Sequence, residues 1–193
     1  MCILVSAPFE DHFHEKSLKR FDPSTFVLTS KPSEKKLRKL GFNNIEVLKA
    51  GTQKNIGDLT IKAHDAGFPY NYLWTFSFEI IQGEKVLYFE SHVDKPSRIK
   101  QNNLKADCAI LTTEEVKILG LLPLSNSSET TLEILKELEC KKIMIQGSDP
   151  AETKGLISYF LKIGKENLGV FKNNNINVYK LSLIHISEPT RLE

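Results

Sequence analysis

The chain has 193 residues, 40% of them apolar and 26% charged, with 26 Lys and Arg against 24 Asp and Glu and a formal net charge of +2. That length predicts one globular domain with a real core, and the near-balanced charge argues against a nucleic-acid or membrane-surface partner, since both need a concentrated basic face. Cys2, Cys108 and Cys140 are odd in number, far apart and without C-x-x-C spacing, which argues against a disulfide framework or a thiolate zinc knuckle and points to a reducing, cytoplasmic compartment. No apolar run approaches the roughly 20 residues needed to cross a bilayer, and the apolar start Cys2–Val5 is too short for a signal peptide.

Ile3–Val5 is a short apolar run of strand type that breaks at Ala7-Pro8 into a polar segment. Thr25–Leu28 reads as a second strand, and Pro32 then opens a helix that runs to Leu40 with Gly41 past its end. Ile45–Leu48 and Leu59–Ala63 are further strands, separated by a polar turn region from Gly51 to Gly57. Trp74, Phe76, Phe78 and Ile80 alternate with Thr75, Ser77 and Glu79, which predicts a strand buried on one side, with Trp74 and its aromatic neighbours in the core. Gln82-Gly83-Glu84 supplies a hairpin turn, and Lys85–Phe89 returns as a central strand. Beyond a polar linker come a strand at Cys108–Leu111, a helix at Thr130–Leu138 with Leu132, Leu135 and Leu138 on one side, a strand at Ile143–Ile145, and a second amphipathic helix at Glu152–Ile163 closed by Gly164. Antiparallel strands thus come first and βα units later, an order that predicts an α/β protein with a mixed sheet and helices outside it.

Three polar clusters each follow a predicted strand: Glu10-Asp11-His12-Phe13-His14, His64-Asp65 and Glu90-Ser91-His92, which together hold four of the five histidines. Imidazoles and carboxylates gathered at strand ends are what a divalent metal requires, although scattered histidines are also compatible with plain surface or core positions. Lys35-Lys36-Leu37-Arg38-Lys39 reads as the solvated face of a helix, Cys108 as a small buried hydrophobe, and Gly147-Ser148-Asp149 lacks the G-x-S-x-G frame of a nucleophile elbow.

In element order and spacing, Met1 to Gly164 resembles the metallo-β-lactamase superfamily. Ile3–Ser6 followed by Ala7-Pro8-Phe9-Glu10-Asp11-His12 stands against that family's strand and T-H-x-H-x-D-H signature, and Ile143 to Gly155 against its last βα unit. Asp11-His12-Phe13-His14 and Tyr88-Phe89-Glu90-Ser91-His92 are similar to a divergent subgroup reading D-H-x-H and Y-Y-E-P-H. The resemblance implies an αββα sandwich with mixed sheets, N-terminally truncated because the strands that precede the first motif are missing; on that view residues 1–180 are part of one such domain. Leu181–Arg191 separately resembles the translation of a transposase-type sequencing adapter over eleven consecutive residues, so 181–193 reads as a non-native tail and His185 as no ligand. The other reading of that end makes Val178–Ile184 a genuine last strand.

The resemblance also implies a degenerate site. Ala7 and Phe9 stand at the first two histidine positions, His92 stands where the bridging carboxylate belongs, and Gln146, Ser148 and Asp149 replace the last histidine, which excludes an ordinary two-zinc centre. Asp11 and His12 match ligands of the second metal, and His14 and His92 could complete a set suited to zinc, iron or manganese, one ion at most. Alternatively, Asp11 caps the Phe13–Phe21 segment while His12 bonds a backbone carbonyl. His64 lies where the family often has a histidine near the metal, with Asp65 able to orient it or merely to share its loop. Asp11 and Glu90 are the candidate catalytic carboxylates, Glu90 as general base on a metal-bound water, or simply the end of its strand. The expected function is single-metal hydrolysis of an ester, amide or phosphoester in a small-molecule substrate; the alternative is a non-catalytic binding or scaffold protein that keeps the fold without a metal.

Overall fold

In the computed structural model, which describes residues 1–9, 12–68, 75–90, 92–146 and 159–180, the alternation of side chains along each strand sets the layers. Strands β1 (Cys2–Val5), β2 (Phe26–Thr29) and β3 (Ile45–Val47) pair in parallel, in that order. Their connections carry helices α1 (Glu15–Leu18) and α2 (Lys31–Lys39). Val5 and Val27 face those helices and pack with Phe13, Leu18, Leu37 and Phe42. The neighbouring residues Leu4 and Leu28 point the other way, onto a second sheet.

That second sheet begins as an antiparallel meander of β4 (Gln53–Ile56), β5 (Leu59–Asp65), β6 (Phe76–Gln82) and β7 (Lys85–Phe89). The β6–β7 hairpin closes through Gly83-Glu84, with Gln82 opposite Lys85 and Gly83 at φ +57°, a left-handed value that glycine adopts without strain. Helix α3 (Pro96–Gln101) then crosses to β8 (Cys108–Leu111), which pairs in parallel with β7. A small antiparallel sheet follows, made of β9 (Val116–Ile118), β10 (Leu122–Ser125) and, later in the chain, β12 (Leu161–Ile163). Helix α4 (Ser128–Glu137) leads to β11 (Lys142–Ile145), and α5 (Gly169–Lys172) to β13 (Asn177–Lys180), completing a seven-stranded sheet ordered β13-β11-β8-β7-β6-β5-β4.

One face of this sheet buries Ile61, Ala63, Phe76 and Phe78 against Leu28 and Leu48 of the first sheet. The other buries Tyr88, Ala109, Leu111 and Ile143 beneath Ile99 of α3, Ile134 and Leu135 of α4 and Phe171 of α5. The result is the αββα sandwich with mixed sheets that the resemblance implied. No helix among the described residues is long and apolar enough to cross a membrane.

Five expectations need correction. The first three strands are parallel, because each connection carries a helix or turn back across the sheet. The Gly51–Gly57 region contains β4, whose alternating exposed and half-buried residues suit a sheet edge. Strand β5 runs on through His64 and Asp65, so both belong to the strand. Strand β6 lies under layers on both sides, which buries Ser77 and Glu79 along with Phe76 and Phe78; Trp74 lies outside the described residues. The expected Glu152–Ile163 helix ends instead in β12, paired with β9, its residues 151–158 being outside the described set.

Candidate functional site

Because β1, β2 and β3 are parallel and β7, β8 and β11 are parallel, their C-terminal ends collect along sandwich edges, and loops leaving β1 and β7 meet there. The loop after β1 is a tight turn in which the amides of His12 and Phe13 both donate to the Phe9 carbonyl, at 2.9 and 2.6 Å. Lys36 of α2 ties that loop down, donating to the Pro8 carbonyl at 2.7 Å with its ammonium 5.4 Å from the Phe13 ring centre. Within the turn, His12 Nδ1 lies 3.1 Å from the buried Ser6 Oγ.

The loop after β7 is held at several points. The Gly67 amide donates to the Val93 carbonyl at 2.7 Å, an approach so close that a Cβ at residue 67 would stand 2.7 Å from that oxygen. Asp94 accepts from its neighbour Lys95 N, from Arg98 of α3 and from the Tyr88 hydroxyl, while Arg98 also reaches Ser77. Burial and the Asp94 charge push the Tyr88 phenol well above its usual range, so it stays a donor. Between these anchors sits His92, 8% exposed, its ring 4.2 Å centre to centre from that of His12 and edge-on to Phe9 at 5.7 Å. Burial, helped by the charge of His12, pushes His92 down to about 3, so its imidazole is neutral across the physiological range.

Glu90 lies behind this pair with no exposed surface. Burial, together with the charge of Asp94, pushes its carboxyl well above the usual range. The single Thr112 hydroxyl proton faces two acceptors, Glu90 Oε1 at 3.2 Å and the His92 carbonyl at 3.3 Å. Glu90 Oε1 also accepts from the Asn126 side-chain amide at 3.2 Å, while the Thr112 oxygen accepts from the Asn126 backbone amide at 3.2 Å. These bonds, on a carboxyl with no exposed surface, make Glu90 a brace for the His92 backbone; the general-base role read from the sequence would need a water to reach it.

The remaining candidates are dispersed. His14 is exposed at the N-cap of α1 and bonds Ser17 Oγ at 2.8 Å. His64 pairs with Ser77 across the sheet and therefore faces the helix side, where its Nε2 meets Glu79 Oε2 at 2.9 Å; Asp65, one residue on, points to the opposite face and cannot orient it. Asp11 lies outside the described residues. Gln146, at the end of β11, buries an Oε1 that has no hydrogen-bond partner among the described residues. No three His, Cys, Asp or Glu side chains among the described residues form a metal-holding group. His12 and His92 are a side-by-side imidazole pair, chemically suited to one divalent ion, whereas Ala7 and Phe9 offer no lone pair.

Sequence reasoning missed Ser6, which meets the His12 ring only because the chain turns between them, and Thr112, Asn126 and Lys36, which act across large gaps in sequence. Only Asp94 and Arg98 left a trace, an acid and a base four apart at a helix start. Along the same edge, a cavity of about 480 Å³ opens between the end of β3 and the start of β6.

No family model matches the sequence, and no curated protein matches it. Solved structures do share its fold. The diiron β-hydroxylase CmlA from Streptomyces venezuelae is 15% identical with a TM-score of 0.71, over 94% of this chain and 44% of CmlA. A possible metal-dependent hydrolase from Veillonella parvula is 13% identical with a TM-score of 0.71, over 94% of this chain and 73% of its own. An isothiocyanate hydrolase from Delia radicum gut bacteria is 18% identical with a TM-score of 0.67, over 94% and 75%. The chain thus spans less than half of CmlA and about three quarters of the two hydrolases. It has the metallo-β-lactamase fold, as do similar structures from Bacillus subtilis and others.

Proposed function

We propose that the chain is a hydrolase of the metallo-β-lactamase fold that holds one divalent metal through His12 and His92, with Asp11, the sequence neighbour of His12, as the carboxylate ligand. The observation that carries this reading is the pairing of two imidazoles 4.2 Å apart at the sandwich edge, one of them kept neutral by burial. When His12 donates from Nδ1 to Ser6, its Nε2 carries no proton, the tautomer a metal ligand needs. Thr112 and Gly67 hold the His92 loop so that its ring needs little rearrangement on binding. A bound divalent ion would polarise a scissile ester, amide or phosphoester and activate water beside it. Phe9, edge-on to His92, excludes solvent from one side of the pair. His14 and His64 are not part of this ligand set.

A second reading has its own observation. Ala7 and the Phe9 ring occupy the first two ligand positions, as expected of a binding or scaffold protein that has lost its metal. Zinc titration by calorimetry, with elemental analysis of the purified full chain, separates the two. The hydrolase reading expects near-stoichiometric zinc, iron or manganese in the full chain and its loss in a His12→Ala, His92→Ala double variant. Absence of bound metal in both proteins, each folded by circular dichroism, leaves the scaffold reading.

A further inference from the structure

The geometry points to the cavity beside the histidine pair as a binding site for an amphipathic anion, a medium-chain carboxylate whose tail enters the cavity and whose charge stays at its rim. In the first sheet β3 is two strands from β1, and in the second β5 is two strands from β7, so the cavity lies about 10 Å along the edge from His12 and His92. Its 480 Å³ is in the range of small-molecule sites. Val47, Leu48, Ala50 and Phe76 make its walls, and a charge driven among them would lose its hydration without a partner.

The rim carries Lys31, Lys49 and Asp65. Lys31 is 2.5 Å from Glu34, but Glu34 also accepts from Arg38 at 2.9 Å, so one carboxylate serves two cations. The rim itself thus holds two ammonium groups against one carboxylate, and beyond Lys31 the adjoining face of α2 carries Lys35, Arg38 and Lys39 with Glu34, a further excess of positive charge beside the cavity. Lys49 is exposed and forms no ion pair among the described residues, which leaves its ammonium available at the mouth. The local field therefore draws anions, and the apolar walls select those with a hydrocarbon tail.

That such an anion is part of the substrate rests on the hydrolase reading; the binding itself does not. Calorimetric titration of the full chain with octanoate, octylammonium and 1-octanol tests it. Octanoate should bind tightest and weaken as salt rises, since exposed charges are screened over about 10 Å at 0.1 M. Lys49→Glu should weaken octanoate about tenfold, the effect of roughly 1.4 kcal/mol, and leave octanol unchanged. Asp65→Asn should tighten octanoate, and Ala50→Phe should weaken both octanoate and octanol by filling the cavity. The His12→Ala, His92→Ala protein should keep octanoate binding whether or not the wild type holds metal, so loss of the metal reading leaves this one standing. Equal affinity for octanoate and octanol, tighter binding of octylammonium, or no change in Lys49→Glu, each in folded protein, would overturn the inference.

Discussion

His64 and His92 differ in what faces them. His64 stands 2.9 Å from Glu79, whereas His92 lies tilted against another imidazole and edge-on to a phenyl ring. Glu79 shows the effect on its partner: burial alone would raise its carboxyl, but the hydrogen bond and charge of His64, with Lys62 and Arg98, outweigh that and hold it below the ordinary 4.5. A carboxylate whose folded value is depressed adds stability above its unfolded value and loses it as pH falls through the folded one. The wild type should therefore be more stable than Glu79→Gln near neutrality, and the difference should shrink from about pH 4.5 downward. Urea denaturation of both proteins across that range measures it, and a gap that stays constant in acid would refute the assignment.

At the scale of elements, Gly67 links strand β5 to the loop that presents His92. Its amide bonds Val93 O, and any Cβ there would press on that same backbone oxygen. Gly67→Ala must push the His92 loop away or strain it, at a cost of about 1–3 kcal/mol. Its melting temperature should fall, and if the histidine pair binds zinc, the affinity should fall with it while the fold persists. Unchanged melting would mean the loop yields freely. The glycine's function was invisible in the sequence because the close approach is to a residue 26 positions away. Strand β7 was legible because it is apolar or aromatic after Lys85, and β6 because its first apolar residues alternate with Ser77 and Glu79, although that alternation hid the burial of both its faces. Edge strands were not: β4 carries Gln53, Lys54 and Asn55, and β12 only Leu161-Lys162-Ile163, too few residues to separate period two from a helical stripe. Of the candidate site, the sequence placed His12 and His92 at strand ends. It did not show that Glu90 is fully buried, which depends on pairing across the sheet, or that His64 faces Glu79, because strand β5 runs two residues further than its apolar pattern.

The whole molecule is organised around the seven-stranded sheet, which is buried on both faces but by different layers. Leu28 belongs to the core between the sheets, and Leu135 to the core between the second sheet and α4; each is fully buried. Removing either side chain to Ala leaves a cavity that close-packed neighbours fill only partly, which costs about 2–5 kcal/mol. The two residues share no packing cluster and are separated by the sheet itself. If the layers fold as one cooperative unit, both single variants should give one denaturation transition, and the double variant should lose the sum of their effects within about 0.5 kcal/mol. Two transitions in either single variant would mean that the α1–α2 side and the α3–α5 side unfold independently. The histidine pair, with one ring from each sheet's loops, would then lose its geometry whenever either half opened. A single transition followed by both fluorescence and circular dichroism would instead tie the site to the global stability of the sandwich.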